Sequence, residues 1–218
     1  MGIMPQAIIE KSVIFSKEKM SSLHASHGWD HVHRVVNLAE RISLTEPHAD
    51  PFIVKVAALL HDIARPDEAL SGGSVCHAEL GSTIARDFLL SCGLDKSAAD
   101  HISQCILTHR FRKHRTPETI EARILYDADK LDSIGAVGIG RAFLFSGEVG
   151  AKLHDPDADH DKTRAYSEDD TAFREYTVKL RFVKDRMLTA EGKKIAEERD
   201  RFMELFFRRI DDEVRGRL

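Results

Sequence analysis

Apolar residues recur at three- and four-residue intervals in nearly every segment of the chain, while alternating runs of β-branched residues are scarce. A period near 3.6 turns one face of a helix toward a core, whereas a strand requires a period of two. The expected fold class is all-α, a single compact multi-helix domain over residues 1–218. The pattern predicts helices over Ile8–Ser21, His31–Thr45, Pro51–Ala64, Ala78–Ser91, Lys96–His109, Thr119–Phe145, Asp170–Met187 and Ala190–Arg215. Helix-breaking punctuation separates them at Glu46-Pro47, Arg65-Pro66, Ser71-Gly72-Gly73, Cys92-Gly93 and Thr116-Pro117. The last two helices are amphipathic, with Leu180, Val183 and Met187 on one face and Ile195, Phe202, Leu205, Phe206 and Ile210 on another, both expected to close the core. Residues 147–170 are Asp-rich and lack apolar periodicity, so they are expected to form a long loop, either a flexible lid over a site or a surface excursion.

Composition narrows the function. With 218 residues and 42% hydrophobic content the chain can bury a sizeable core. Its 32 basic residues are dispersed among 36 acidic ones for a net charge of −4, which gives no footprint for a nucleic-acid polymer or an anionic membrane and favours a small substrate. The three cysteines, Cys76, Cys92 and Cys105, have neither disulfide nor C-x-x-C spacing, so a reducing cytoplasm is the expected location. No run approaches the roughly 20 apolar residues of a membrane span, and the charged N-terminal stretch does not resemble a secretion signal. Gln6 stands where a myristoylation signal needs Ser or Thr. A homo-oligomer is left open.

The informative residues are ionisable groups placed on apolar helical faces. The run from Phe52 to Leu60 leads directly into His61-Asp62. Burying an ionised Asp beside a His is unfavourable unless something pairs with both, and a divalent cation such as Mn, Fe, Ni, Co, Zn or Mg would do so. Taken alone, the pair also fits a helix C-terminus with a solvated Asp. Asp30 is a plausible N-cap for the next upstream helix, which places His31 in its first turn on the core side with Val35 and Leu38. His27 would share that face if the helix began earlier, while His33 points elsewhere. Downstream, Asp127, Asp129 and Asp132 lie within one apolar helix, so some of them must pair or chelate.

The order His31, His61-Asp62, Asp129 is similar to the signature of the HD-domain superfamily of metal-dependent phosphohydrolases. The strings HGWDHVHRV, ALLHDIA, CHAELGSTIA, ILTHR, YDADKLDSIGAVGIGRAF and EYTVKLRFVKDRMLTAEGKKIAEERDRFM resemble a subgroup of small stand-alone HD hydrolases over nearly the whole chain. The resemblance implies an HD-domain fold with His31, His61, Asp62 and Asp129 around one divalent metal, manganese first among the candidates, and Asp127 as the alternative last ligand. It further implies that His77 and His109 lie in the pocket, either as ligands of a second metal bridged by Asp62 or as supporting and phosphate-contacting groups. Where relatives have His-Asp-Trp, this chain has His27-Gly28-Trp29.

The implied chemistry is hydrolysis of a phosphoester or phosphoanhydride by metal-activated hydroxide. Cations that accompany family-like motifs, Arg34, Lys130, Arg110 and Lys179, are candidates for phosphate and leaving-group charge. Asp67 and Glu68 lie where relatives place an acid that orients water, and Asp132 is a candidate supporting acceptor or general acid. The subgroup includes nucleotide pyrophosphohydrolases, so a nucleoside triphosphate is the expected substrate. A 5′-nucleotidase-like phosphomonoesterase and a non-catalytic nucleotide-sensing module are the alternatives.

Overall fold

The structure, a computed structural model, describes residues 4–21, 28–110, 115–159, 162–164 and 167–218. It is all-α, with no strand among the described residues. The chain groups into two compact units, Met1–Asp129 and Lys130–Leu218.

The first unit is organised on α3 (Pro51–Leu60), which packs against α1 (Pro5–Lys19), α2 (Trp29–Ser43) and α6 (Lys96–Thr108). Asp50 starts α3 by accepting hydrogen bonds from the Phe52 and Ile53 amides, and Pro51 fills a position whose missing N–H is harmless. Ile53, Val54, Val56, Leu59 and Leu60 are all buried, each contributing about 1.5–3 kcal/mol relative to exposure. This helix ends at Leu60, and His61 to Ala64 form a turn rather than its continuation to Ala64. Pro66, read from sequence as a breaker, instead sits in the first turn of a short helix α4 (Arg65–Leu70), where Asp67 and Glu68 favour the helix dipole. Helix α5 (His77–Ser91) packs on α6, which begins at the Asp95 cap. Gly28, not Asp30, caps α2; Asp30 lies in its first turn and pairs with Arg34 at 2.6 Å.

The expected single helix over Thr119–Phe145 is two, α7 (Ile120–Leu131) and α8 (Gly135–Glu148). The break is set by backbone geometry. Gly135 adopts φ +76°, which other residues rarely take, and a Cβ on Gly138 would lie 2.2 Å from the Ser133 carbonyl oxygen. Likewise the expected helix over Asp170–Met187 is α9 (Ala172–Val178) followed by a 3-10 helix, Leu180–Arg186.

Phe207 of α10 (Ala190–Val214) anchors the second unit: Tyr176 stacks on it at 4.4 Å, with Phe206 at 5.3 Å, Phe173 at 5.8 Å and Phe143 at 6.4 Å. The buried face of α10 carries Ile195, Ala196, Met203 and Phe207. Phe202 and Leu205, expected in the core, are 45% and 54% exposed. This helix has apolar residues on two faces, and its small Ala196 and flexible Met203 mark the buried one less visibly than the phenylalanine pattern suggests.

The expected loop over 147–170 starts later, because α8 runs to Glu148; from there to Asp170 the described residues form no helix. Lys152 pairs with Asp155 and Asp169, and the buried His154 ring lies 4.3 Å from Phe173 and bonds Asp211 of α10 at 2.9 Å.

Gly138→Ala is expected to lower stability by about 1–3 kcal/mol, the usual penalty for forcing extra volume into a packed contact. Urea unfolding should show a lower midpoint at unchanged slope; an unchanged midpoint would show that the α7–α8 joint tolerates a Cβ there.

Candidate metal centre

Helix ends deliver the site's imidazoles. His61 and His109 are the C-cap residues of α3 and α6, while His31 and His77 sit in the first turns of α2 and α5. At both C-caps the ring folds back on its own helix: His61 Nδ1 donates to Ala58 O at 2.8 Å, and His109 Nδ1 to Ile106 O at 2.6 Å. A neutral imidazole with its proton on Nδ1 presents a bare lone pair at Nε2. Both Nε2 atoms therefore face the pocket as acceptors, at helix ends whose partial negative charge favours a cation.

Two buried clusters result, each with its donor atoms within 4.8 Å of one another. In the first, His31 Nε2 lies 3.3 Å from His61 Nε2 and 3.5 Å from Asp129 Oδ1. In the second, His77 Nε2 lies 3.2 Å from His109 Nε2 and 3.3 Å from Asp62 Oδ1. Asp62 joins them, because its Oδ2 is 3.5 Å from His31 Nε2 and 3.6 Å from His61 Nε2. Imidazole nitrogens converging on one another beside carboxylate oxygens suit a borderline divalent ion, and the set of His and Asp donors fits Mn, Fe, Ni, Co or Zn. Asp127 is fully buried but belongs to neither cluster.

The electrostatics keep these donors ready for a cation. Burial drives the His61 imidazole down to about 4, with His109 and His31 adding to the effect, and His77 down to about 3, so both rings are neutral near pH 7. Burial alone would raise Asp62, but the Arg65 guanidinium outweighs it and holds the carboxyl well below the usual range. Arg65 Nε donates to both Asp62 oxygens at 3.0 Å. The sequence reading missed this arginine, although its place three residues after Asp62 on a turn was a usable signal. Glu68 accepts from His77 Nδ1 at 2.7 Å, from Arg65 at 3.2 Å, and from Arg110. Asp67 lies on the exposed side of α4 and enters neither cluster.

Of the remaining candidates, Arg34 is engaged by Asp30. Lys130, Asp132 and Lys179 belong to the second unit, where Asp132 is buried and accepts from Arg141 at 2.8 Å while Lys179, 64% exposed, pairs with Glu175. His27 lies outside the described residues.

The sequence pattern of the HD domain matches residues 28–134, which span both clusters. Bacillus subtilis YpgQ, itself described as uncharacterized, is 35% identical over 199 residues, covering 88% of this chain and 86% of that protein. Its crystal structure superposes with a TM-score of 0.77 and 29% identity over 98% of this chain and 99% of that one. A crystal structure of YpgQ in complex with ADP superposes with a TM-score of 0.73 and 29% identity over 96% of each chain. A Bacillus thuringiensis protein described as an HD-superfamily hydrolase superposes with a TM-score of 0.76 and 29% identity, over 97% of this chain and 99% of that one.

The depressed histidines give a pH signature for the metal-free protein. The unfolded chain takes up protons near 6.5, the folded His61 and His77 only near 4 and 3. Between those values the unfolded state binds more protons, so unfolding free energy rises with pH there and is lost as pH falls. Chemical denaturation of the EDTA-treated protein should show this slope between about pH 4 and 6.5; a flat profile would mean that these rings are not buried neutral.

Proposed function

The chain belongs to the HD-domain family, and we propose that it is a metal-dependent phosphohydrolase acting on nucleotides, cleaving nucleoside triphosphates to monophosphates and pyrophosphate. The observation that carries the reading is the buried Asp62 carboxylate, each of whose oxygens faces a pair of imidazole Nε2 atoms. In this reading His31, His61, Asp62 and Asp129 hold one divalent ion, and Asp62, His77 and His109 a second. Such an ion, when bound, supplies Lewis acidity toward a phosphoryl oxygen and lowers the pKa of water at the site. Manganese is the ion proposed first. The nucleotide part draws support from the relative that binds ADP.

The protein's own groups have defined tasks. Asp62 and Asp129 supply negative charge that neutral histidines cannot. The Nδ1–H bonds of His61 and His109 fix which nitrogen each ring presents. Arg110 beside the second cluster and Arg34 one turn from His31 are proposed for phosphate contact, Arg110 through exchange of its Glu68 partner for a phosphoryl oxygen. Arg65 balances Asp62. The free cysteines fit a cytoplasmic protein, which is part of the proposal.

Purified protein with Mn(II) and a panel of nucleoside mono-, di- and triphosphates tests the reading. Pyrophosphate and monophosphate from triphosphates are expected. Orthophosphate from monophosphates would instead make the protein a phosphomonoesterase, and binding without turnover under any metal a sensor. Asp62→Ala is expected to lower kcat on the order of 10²-fold or more, since changes one shell further out already have effects of 10–100-fold; unchanged activity removes this site from the chemistry.

A further inference from the structure

Glu68 has a geometry that an acid serving only to orient water does not need. Its Oε2 meets His77 Nδ1 at 2.7 Å, and its Oε1 accepts from Arg110. Among the four clustered imidazoles, His61 and His109 are set by carbonyls of their own helices. His77 begins its helix, so no carbonyl one turn back lies within α5 to do the same. Its Nδ1 contacts instead come from the side chains of Glu68 and Arg110, the latter at 2.9 Å. These two demand opposite tautomers. A carboxylate requires a proton on Nδ1, whereas a guanidinium N–H requires a lone pair there. The Glu68 contact is shorter, and the same Arg110 nitrogen already donates to Glu68 Oε1. The carboxylate therefore decides the matter: Nδ1 carries the proton, and the Nε2 lone pair faces His109 Nε2 and Asp62 Oδ1. Without Glu68, Arg110 remains as the partner of Nδ1 and draws the proton to Nε2, where it would block the second cluster.

We propose that Glu68 is a positioning residue that fixes the Nδ1–H tautomer of His77 and thereby allows the second cluster to take a cation, with Arg110 as the competing partner. This rests on the two-cluster reading above.

Histidine-selective 15N NMR of the metal-free protein reads the tautomer directly, with His77→Ala assigning the signals. Wild type should show His77 protonated at Nδ1, Glu68→Ala a shift toward Nε2–H, and Glu68→Ala/Arg110→Ala a partial return. Calorimetric titration with Mn(II) alone should then show two ions in wild type. In Glu68→Ala the weaker-bound of them is expected to lose about 10–100-fold in affinity, together with the exchange-coupled Mn(II) pair signal in EPR. Glu68→Gln, which keeps an acceptor oxygen, should retain more of both. In a His77→Ala background Glu68→Ala should add nothing, because it acts through that ring.

An unchanged tautomer in Glu68→Ala overturns the proposal, as does an undiminished coupled pair, or an additive effect in the His77→Ala background. Wild type that binds one ion, lost on His31→Ala but not on His77→Ala, overturns it while leaving the first cluster standing. Wild type that binds no ion removes the metal reading itself.

Discussion

The first unit is arranged around a carboxylate that has no access to water. Asp62 is fully buried, and an ionised group in that position is tolerable only with strong partners on every side. Arg65 supplies one, spanning both oxygens. The His61 and His77 rings, driven neutral by burial, solvate the carboxylate poorly. The pocket is consequently short of positive charge in the direction of the histidines, a shortage that the divalent ion proposed above would relieve. Fold and site are coupled through it: the apolar α3 exists to bury one end of a helix, and the buried end carries the charge.

Two kinds of histidine placement build the clusters. At a helix C-terminus the last carbonyls lack amide partners, so a C-cap ring can satisfy one and have its tautomer set in the same contact. His61 and His109 do so with Ala58 and Ile106. In a first turn the unsatisfied backbone groups are N–H donors, which offer nothing to a ring proton. A histidine there depends on a side chain from elsewhere, which is the position of His77 and the reason an acid from α4 reaches it.

This difference also explains what could be read in the sequence. His77 and His109 entered through the family resemblance, whereas His61, Asp62 and Asp129 were visible because each interrupts or ends an apolar periodic run, and His31 because it opens one, since periodicity survives in one dimension. The all-helical class was visible for the same reason. The partnerships of Glu68 with His77 and Arg110 were not, since they join α4 to α5 and to the end of α6 across nine and 42 positions. The α7–α8 break was hidden because the apolar pattern runs through it, and only φ at Gly135 and the crowding at Gly138 reveal the joint. On α10 the difficulty was an excess of signal: apolar residues mark two faces, and burial selects Met203 and Phe207 over Phe202 and Leu205.

The symmetry of the Asp62 carboxylate has a consequence for substitution. Its two oxygens are chemically equivalent, which lets one side chain present the same kind of atom to both clusters. An amide of identical shape has only one such oxygen, so Asn at this position must turn its NH2 group toward one pair of rings. The orientation of that amide would then choose which cluster survives. Glu would keep the equivalence but carry it one methylene further into a filled space. Among the coded amino acids, only aspartate offers two equal faces at this depth, so the position has no neighbour in sequence space that preserves its role.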